Sequence, residues 1–155
     1  MIIREANLED ISTLLELEQC VIEAEKPFNS SIKAEKTHYY DLDNLISSKN
    51  SCLIVVEDSS DIIATGYAQI RESKIALNHE KHSYLGFMFV SPEHRGKAIN
   101  QKVISHLVEW SERRGITDVY LDVYSQNESA IKAYQKAGFE PCLLEMKLCT
   151  QRKCT

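Results

Sequence analysis

The chain has 155 residues, 43% of them hydrophobic and 26% charged, which suits one globular domain and excludes a disordered chain. A formal net charge of -5 at pH 7 argues against nucleic acid as a main partner, because phosphate backbones demand a basic face, and mildly favours cationic substrates. The N-terminus MIIREANLED meets charge too early for a signal peptide, the longest aliphatic run, LIVV, cannot span a bilayer, and five cysteines without a CxxC pair read as reduced thiols, so no membrane association and a cytoplasmic location are expected.

A short strand, MIIREA, opens the chain. Asn7 can cap a helix with Asp10 three residues on, and Ile11, Leu14, Leu15, Val21 and Ile22 form one helical stripe that runs to about Lys26. Pro27, Asn29, Ser30 and Ser31 interrupt the stripe, and a second helix is predicted over 34–47, including the polar-aromatic cluster Thr37-His38-Tyr39-Tyr40-Asp41. CLIVVED and IIATGYAQIRE, joined by SSD, read as a hairpin, and YLGFMFV as a third, more buried strand. A long helix follows from about residue 98 to 114, with Arg113 and Arg114 at its negative end and Gly115 just beyond. Then come the strand TDVYLDVY, a helix over 128–137 that stops at Gly138, and FEPCLLEMKLC as a closing strand pair. Residues 1–149 are expected to form a single domain and 150–155 a short polar tail. The fold class is α/β (α+β), a mixed sheet of about six to seven strands flanked by about four helices, because strand, helix, strand in the middle implies a right-handed parallel crossover.

Ligands of open α/β sheets gather at the carboxyl ends of the strands, where VSPEHRGKAINQ lies. The N–H groups of residues 96 to 101, at a helix N-terminus, could seat a pyrophosphate, with Arg95 and Lys97 adding charge. An ordinary strand-to-helix corner, punctuated by Pro92 and Gly96, would look the same. Ala98 is placed in helical φ, where a methyl group is tolerated. Further on, Asn127, Ala130 and Tyr134 are spaced to share one helical face about 10.5 Å long, which suits a long, thin ligand arm. The competing reading makes Asn127 a cap, Ala130 packing and Tyr134 a half-buried aromatic.

Taken together, these residues resemble the GNAT superfamily of N-acetyltransferases over almost the whole chain. The family motif Arg/Gln-x-x-Gly-x-Gly/Ala corresponds to Arg95-Gly96-Lys97-Ala98-Ile99-Asn100, which departs from it at both small positions, Ala98 replacing the first glycine and Asn100 the second. Asn-x-x-Ala-x-x-x-Tyr-x-x-x-Gly-Phe is complete from Asn127 to Phe139. The resemblance implies a GNAT fold and transfer of an acetyl group from acetyl-CoA to a primary amine, on a small molecule or a peptide N-terminus, without a covalent enzyme intermediate. It places the pyrophosphate on Arg95, Gly96, Lys97, Ala98, Ile99, Asn100 and Gln101. The pantetheine arm runs beside Met88, Phe89 and Val90 and against Asn127, Ala130 and Tyr134. Gly86 is compatible with the strand bulge of the family, or with close packing against a neighbour.

Tyr134 occupies the position of the general acid that protonates the departing thiolate. The strand before the phosphate turn, where many relatives carry a Glu base, reads Leu85-Gly86-Phe87. In ribosomal-protein alanine acetyltransferases the base lies five residues before the motif asparagine, which here is Asp122; a water chain to Glu93, His82 or Tyr84 is the competing route. Phe28, His38, Tyr39 and Tyr40 fall where relatives border the acceptor. The histidines show no metal-ligand spacing, so no metal is expected. A non-catalytic acyl-CoA-binding regulatory module is the alternative, and a homodimer through exposed C-terminal strands is possible.

Overall fold

The computed structural model describes residues 1–151. Five strands, β1 (Ile2–Glu5), β2 (Ser51–Asp58), β3 (Asp61–Glu72), β4 (Lys81–Val90) and β5 (Val119–Leu121), form one sheet in the order β1-β2-β3-β4-β5. The α-helices are α1 (Ile11–Glu25), α2 (Leu42–Ser47), α3 (Ile99–Glu112) and α4 (Glu128–Lys136). By packing, the chain forms two compact units: Met1–Asp122, which holds the whole sheet with α1 to α3, and the stretch from Val123 onward, which holds α4.

Local sequence explains most of these elements. Asn7 and Asp10 form the expected capping box, which starts a short 3-10 turn that leads into α1. Arg4 ties this corner together by bonding Asp10 at 2.8 Å and Glu57 at 2.6 Å, and its guanidinium holds the Asp10 carboxyl below its ordinary range. Ser59 and Ser60, both at positive φ, make the two-residue turn that lets β2 and β3 pair with the sheet's natural twist. β2 is apolar without alternation because both of its faces are covered.

One face of the sheet meets α1 and α2: Leu14, Val21, Leu42 and Leu45 pack with Leu53, Val55, Tyr67, Phe87 and Phe89. The other face meets α3, where Ser83 bonds Ser111 at 2.6 Å and a side chain on Gly66 would strike Met88 and Val103. β4 changes parity midway. Its register with β3 moves from Tyr67↔Gly86 to Thr65↔Phe89, so β4 carries one extra residue, and Phe87 takes up the distortion at φ 53°. The bulge puts both Phe87 and Phe89 on the α1 face while Met88 turns to α3.

Three expectations are corrected. The helix predicted over 34–47 is confined to Leu42–Ser47, because a buried carboxylate, Glu18, takes the N–H groups of Tyr39 and Tyr40 at 2.9 Å each and Asp41 then caps α2. The closing strand pair of FEPCLLEMKLC is absent among the described residues, so the sheet has five strands; propensity favours an extended chain, but a strand also needs a ladder partner, and Leu143, Leu144, Met146 and Leu148 are all strongly exposed. Of the cysteines read as reduced, Cys20, Cys52 and Cys142 are free thiols, whereas Cys149 is disulfide-bonded. Residues 152–155 of the polar tail lie outside the described residues.

Candidate active site

β4 delivers the chain into the phosphate turn. The 3-10 turn Pro92–His94 is pinned on both sides of one imidazole: His94 Nδ1 meets Ser91 Oγ at 2.8 Å and Nε2 meets Asp58 Oδ2 at 3.3 Å. Arg95 Nε donates to the Val90 carbonyl at 3.1 Å. Gly96 then takes φ 80°, and Ala98, the residue before α3, takes φ 60° and ψ 22°. Ala98 is therefore not in helical φ, as expected from the sequence, but in the left-handed region, where its methyl group is strained. No side chain caps α3, which leaves the N–H groups of Ile99 and Asn100 to solvent or to a ligand. An uncapped helix start preceded by two left-handed residues is a fit for an anion. The Ile99 and Phe89 side chains are buried in the core, so only their backbones can face a ligand; Arg95, Lys97 and Ala98 are exposed.

Pairing of β4 with β5 runs from Ser83↔Val119 to Leu85↔Leu121 and stops there. From Gly86 on, the edge of β4 that faces away from β3 has no strand partner among the described residues. Asp122 follows β5 directly at this split. Tyr84 donates its hydroxyl to Asp122 Oδ2 at 3.0 Å, and the Arg71 guanidinium lies 3.9 Å over the Tyr84 ring. Tyr67 stands beside Tyr84 with ring centroids 6.4 Å apart, in space that only a glycine at 86 leaves free: a methyl group there would come within 2.6 Å of the Tyr67 ring. Tyr40 stacks on Phe87 at 4.5 Å and meets Tyr67 edge-on at 5.9 Å, and Tyr39 meets Tyr40 at 5.6 Å. Burial raises the Tyr84, Tyr67 and Tyr40 phenols above their ordinary range, and the Asp122 charge adds to this at Tyr84, so the three are hydrogen-bond donors at neutral pH.

Glu18 organises this wall and was missed in the sequence. It is fully buried on the α1 stripe, holds His38 Nδ1 at 2.7 Å as well as the two tyrosine N–H groups, and leaves the His38 side chain 54% exposed. A carboxylate four residues from both Leu14 and Ile22, on an otherwise apolar stripe, was the available signal. Phe28 is half-buried in the 3-10 turn after α1. Of the competing proton routes, Tyr84 contacts Asp122 itself, Glu93 is 80% exposed beside His94, and His82 bonds Ser73 Oγ at 2.9 Å in a group with His79 and Tyr120. Burial lowers the His82 pKa. Burial pushes the Cys52 thiol up to about 12, which makes it a poor nucleophile.

The other predicted residues lie in the second unit. Asn127 caps α4 by accepting from Ala130 N–H at 3.3 Å, so the capping reading and the ligand-face reading fall on the same residue. Tyr134 is half-buried and meets the Phe139 ring edge-on at 6.0 Å, while its carbonyl accepts from Phe139 N–H at 3.0 Å. Among the described residues no group of histidine, cysteine, aspartate and glutamate could hold a metal ion, and no helix is long and apolar enough to cross a membrane.

An open-edged β4, an uncapped helix after it and a parallel pairing of β4 with β5 define an open α/β architecture with an anion-suited helix start, and comparison with known proteins gives it a family. The family model described as "Acetyltransferase (GNAT) family" matches residues 17–139, and the chain belongs to that family, whose members use acetyl-CoA. A tetramutant of the BH1408 protein from Bacillus halodurans shares the fold with TM-score 0.84 at 22% identity, over 96% of this chain and 99% of that one. The structure titled a predicted acetyltransferase with acetyl-CoA from Clostridium acetobutylicum aligns with TM-score 0.72 at 19% identity, over 96% and 95%. Streptothricin acetyltransferase of Streptomyces lavendulae is 37% identical over 59 residues, 38% of this chain and 31% of that enzyme. The chain spans less than a third of the length of such curated relatives.

Proposed function

We propose that the chain is an acetyl-CoA-dependent N-acetyltransferase that moves an acetyl group to a primary amine by direct attack in a ternary complex. The observation that carries this reading is the register break in β4. It coincides with the end of pairing to β5 at Leu85, beyond which one edge of β4 has no strand partner among the described residues, beside the Asp122–Tyr84 pair and just before an uncapped helix start. Backbone N–H groups of Gly96, Ile99 and Asn100, with Arg95 and Lys97, take the pyrophosphate, and Gln101 and Ala98 complete the turn. A backbone N–H of Met88, Phe89 or Val90 faces the thioester oxygen, where it stabilises the negative charge that grows as the amine attacks. Asp122, oriented by Tyr84, accepts the proton that the ammonium must lose, and Tyr134 returns one to the thiolate leaving group. Asn127 and Ala130 line the pantetheine arm, while Phe28, His38, Tyr39 and Tyr40 border the acceptor. The protein works in the cytoplasm on a free amine.

The test is a CoA-release assay over polyamines, amino acids, aminoglycosides and peptides with free N-termini. Acetylation of at least one class is expected. Retained acetyl-CoA affinity with no acetylation of any amine refutes the enzyme and supports the binding-module reading, which the strained Ala98 and the lack of a β4 carboxylate favour.

A further inference from the structure

The acceptor side of the split carries two opposite charges rather than one. Asp122 and Arg71 are linked by a single tyrosine: the Tyr84 ring lies under the guanidinium at 3.9 Å and its hydroxyl reaches the carboxylate at 3.0 Å. Tyr67, Gln69 and Arg71 occupy every second position of β3 and so share the face that carries the tyrosine wall. Arg71 is positioned with care. Its Nε donates to Gln69 Oε1 at 2.9 Å, and the aromatic face below fixes its plane.

Its charge is nevertheless unanswered. Among the described residues Arg71 forms no ion pair, whereas Arg4, a half-buried structural arginine, is answered by two carboxylates. An oriented, exposed guanidinium without a carboxylate presents a planar fork that a carboxylate fills with two parallel hydrogen bonds. Glu25, the carboxylate beside Tyr39 and Tyr40, forms no ion pair with Arg71 among the described residues.

Resting on the acetyltransferase reading above, we infer that the acceptor is an amine that carries a neighbouring carboxylate, a free amino acid, with its amino group at Asp122 and its carboxylate on Arg71. A polyamine would have to lay a second cation against Arg71, and a peptide N-terminus has an amide where the fork expects a charge. Removing the substrate charge leaves the guanidinium desolvated and unpaired, which is the situation in which a site discriminates most strongly.

The experiment compares L-amino acids with their α-amides in the CoA-release assay, using wild type, Arg71→Met and Arg71→Lys. The expected result is a kcat/KM at least tenfold higher for the acid than for its amide in wild type, a ratio that falls tenfold or more in Arg71→Met and partly recovers in Arg71→Lys. Calorimetric titration of amino acid into protein without acetyl-CoA is expected to show binding that Arg71→Met weakens. The inference is overturned, with the acetyltransferase reading intact, if amides, polyamines or peptides turn over as well as or better than the amino acids in wild type, a comparison that needs no variant. It is equally overturned if Arg71→Met folds and keeps the wild-type ratio. Turnover of no amine at all overturns both.

Discussion

Ala98→Gly is the sharpest test of the phosphate turn. Ala98 is held at φ 60° and ψ 22°, at the step from the turn into α3, with no side chain capping the helix behind it. A left-handed alanine costs about 1–2 kcal/mol through the clash of its Cβ with the following carbonyl. Glycine removes that strain but gives the unfolded chain more freedom, which offsets about 0.5–1 kcal/mol. The net expectation is a gain of about 0.5–1 kcal/mol, or a Tm increase of about 1–4 °C for a chain of this size. Where the strain also keeps the free turn from its liganded form, about 1 kcal/mol corresponds to a roughly fivefold lower Kd for acetyl-CoA. Differential scanning calorimetry and isothermal titration read the two quantities, with Ala98→Val as the opposing control, because a β-branched residue tolerates this region worse. A glycine variant that melts lower or binds acetyl-CoA more weakly would refute the reasoning, since the methyl group would then be supporting the turn.

Four other outcomes follow from particular contacts. Glu18→Ala strips two part-buried backbone N–H groups and His38 of their acceptor and leaves a cavity in the core, and is expected to cost about 3 kcal/mol, seen as a lower urea midpoint with an unchanged m-value. Gly86→Ala drives a methyl group into the Tyr67 ring and should destabilise by about 1–3 kcal/mol in the same assay; paired with Tyr67→Ala, it should cost much less. Tyr134→Phe is expected to lower kcat while acetyl-CoA still binds, and unchanged turnover on a verified substrate would remove the tyrosine from the chemistry. Asp122→Asn keeps the shape but removes the proton acceptor bonded by Tyr84, so kcat/KM on a verified substrate should fall, and undiminished turnover would reassign the proton.

The reading of residues 85–87 as lacking a carboxylate was correct as sequence, but it pointed away from the place where the strand matters. What β4 contributes is an extra residue, legible only as a lone Gly86 among aromatics until the pairing with β3 showed where the register slips. The cluster His38-Tyr39-Tyr40 was marked as helical by its neighbours' periodicity. Its non-helical form depends on Glu18, twenty residues before His38, and no local pattern reports such a partner. Asp122 was chosen by its distance from Asn127, whereas its bond to Tyr84 and the guanidinium above that ring came from strands far apart in the chain.

The sequence by itself determined the order of elements up to α4, the caps at Asn7 and Asn127 and the parallel pairing across α3, because these rest on periodicity, capping chemistry and short spacings that a chain carries locally. Tertiary structure decided the bulge in β4, the left-handed Ala98, the reach of Glu18 and the placing of Arg71 on the ring and Asp122 on the hydroxyl of one tyrosine, Tyr84. Each is a contact or a backbone state imposed by residues remote in sequence, where packing overrides local preference.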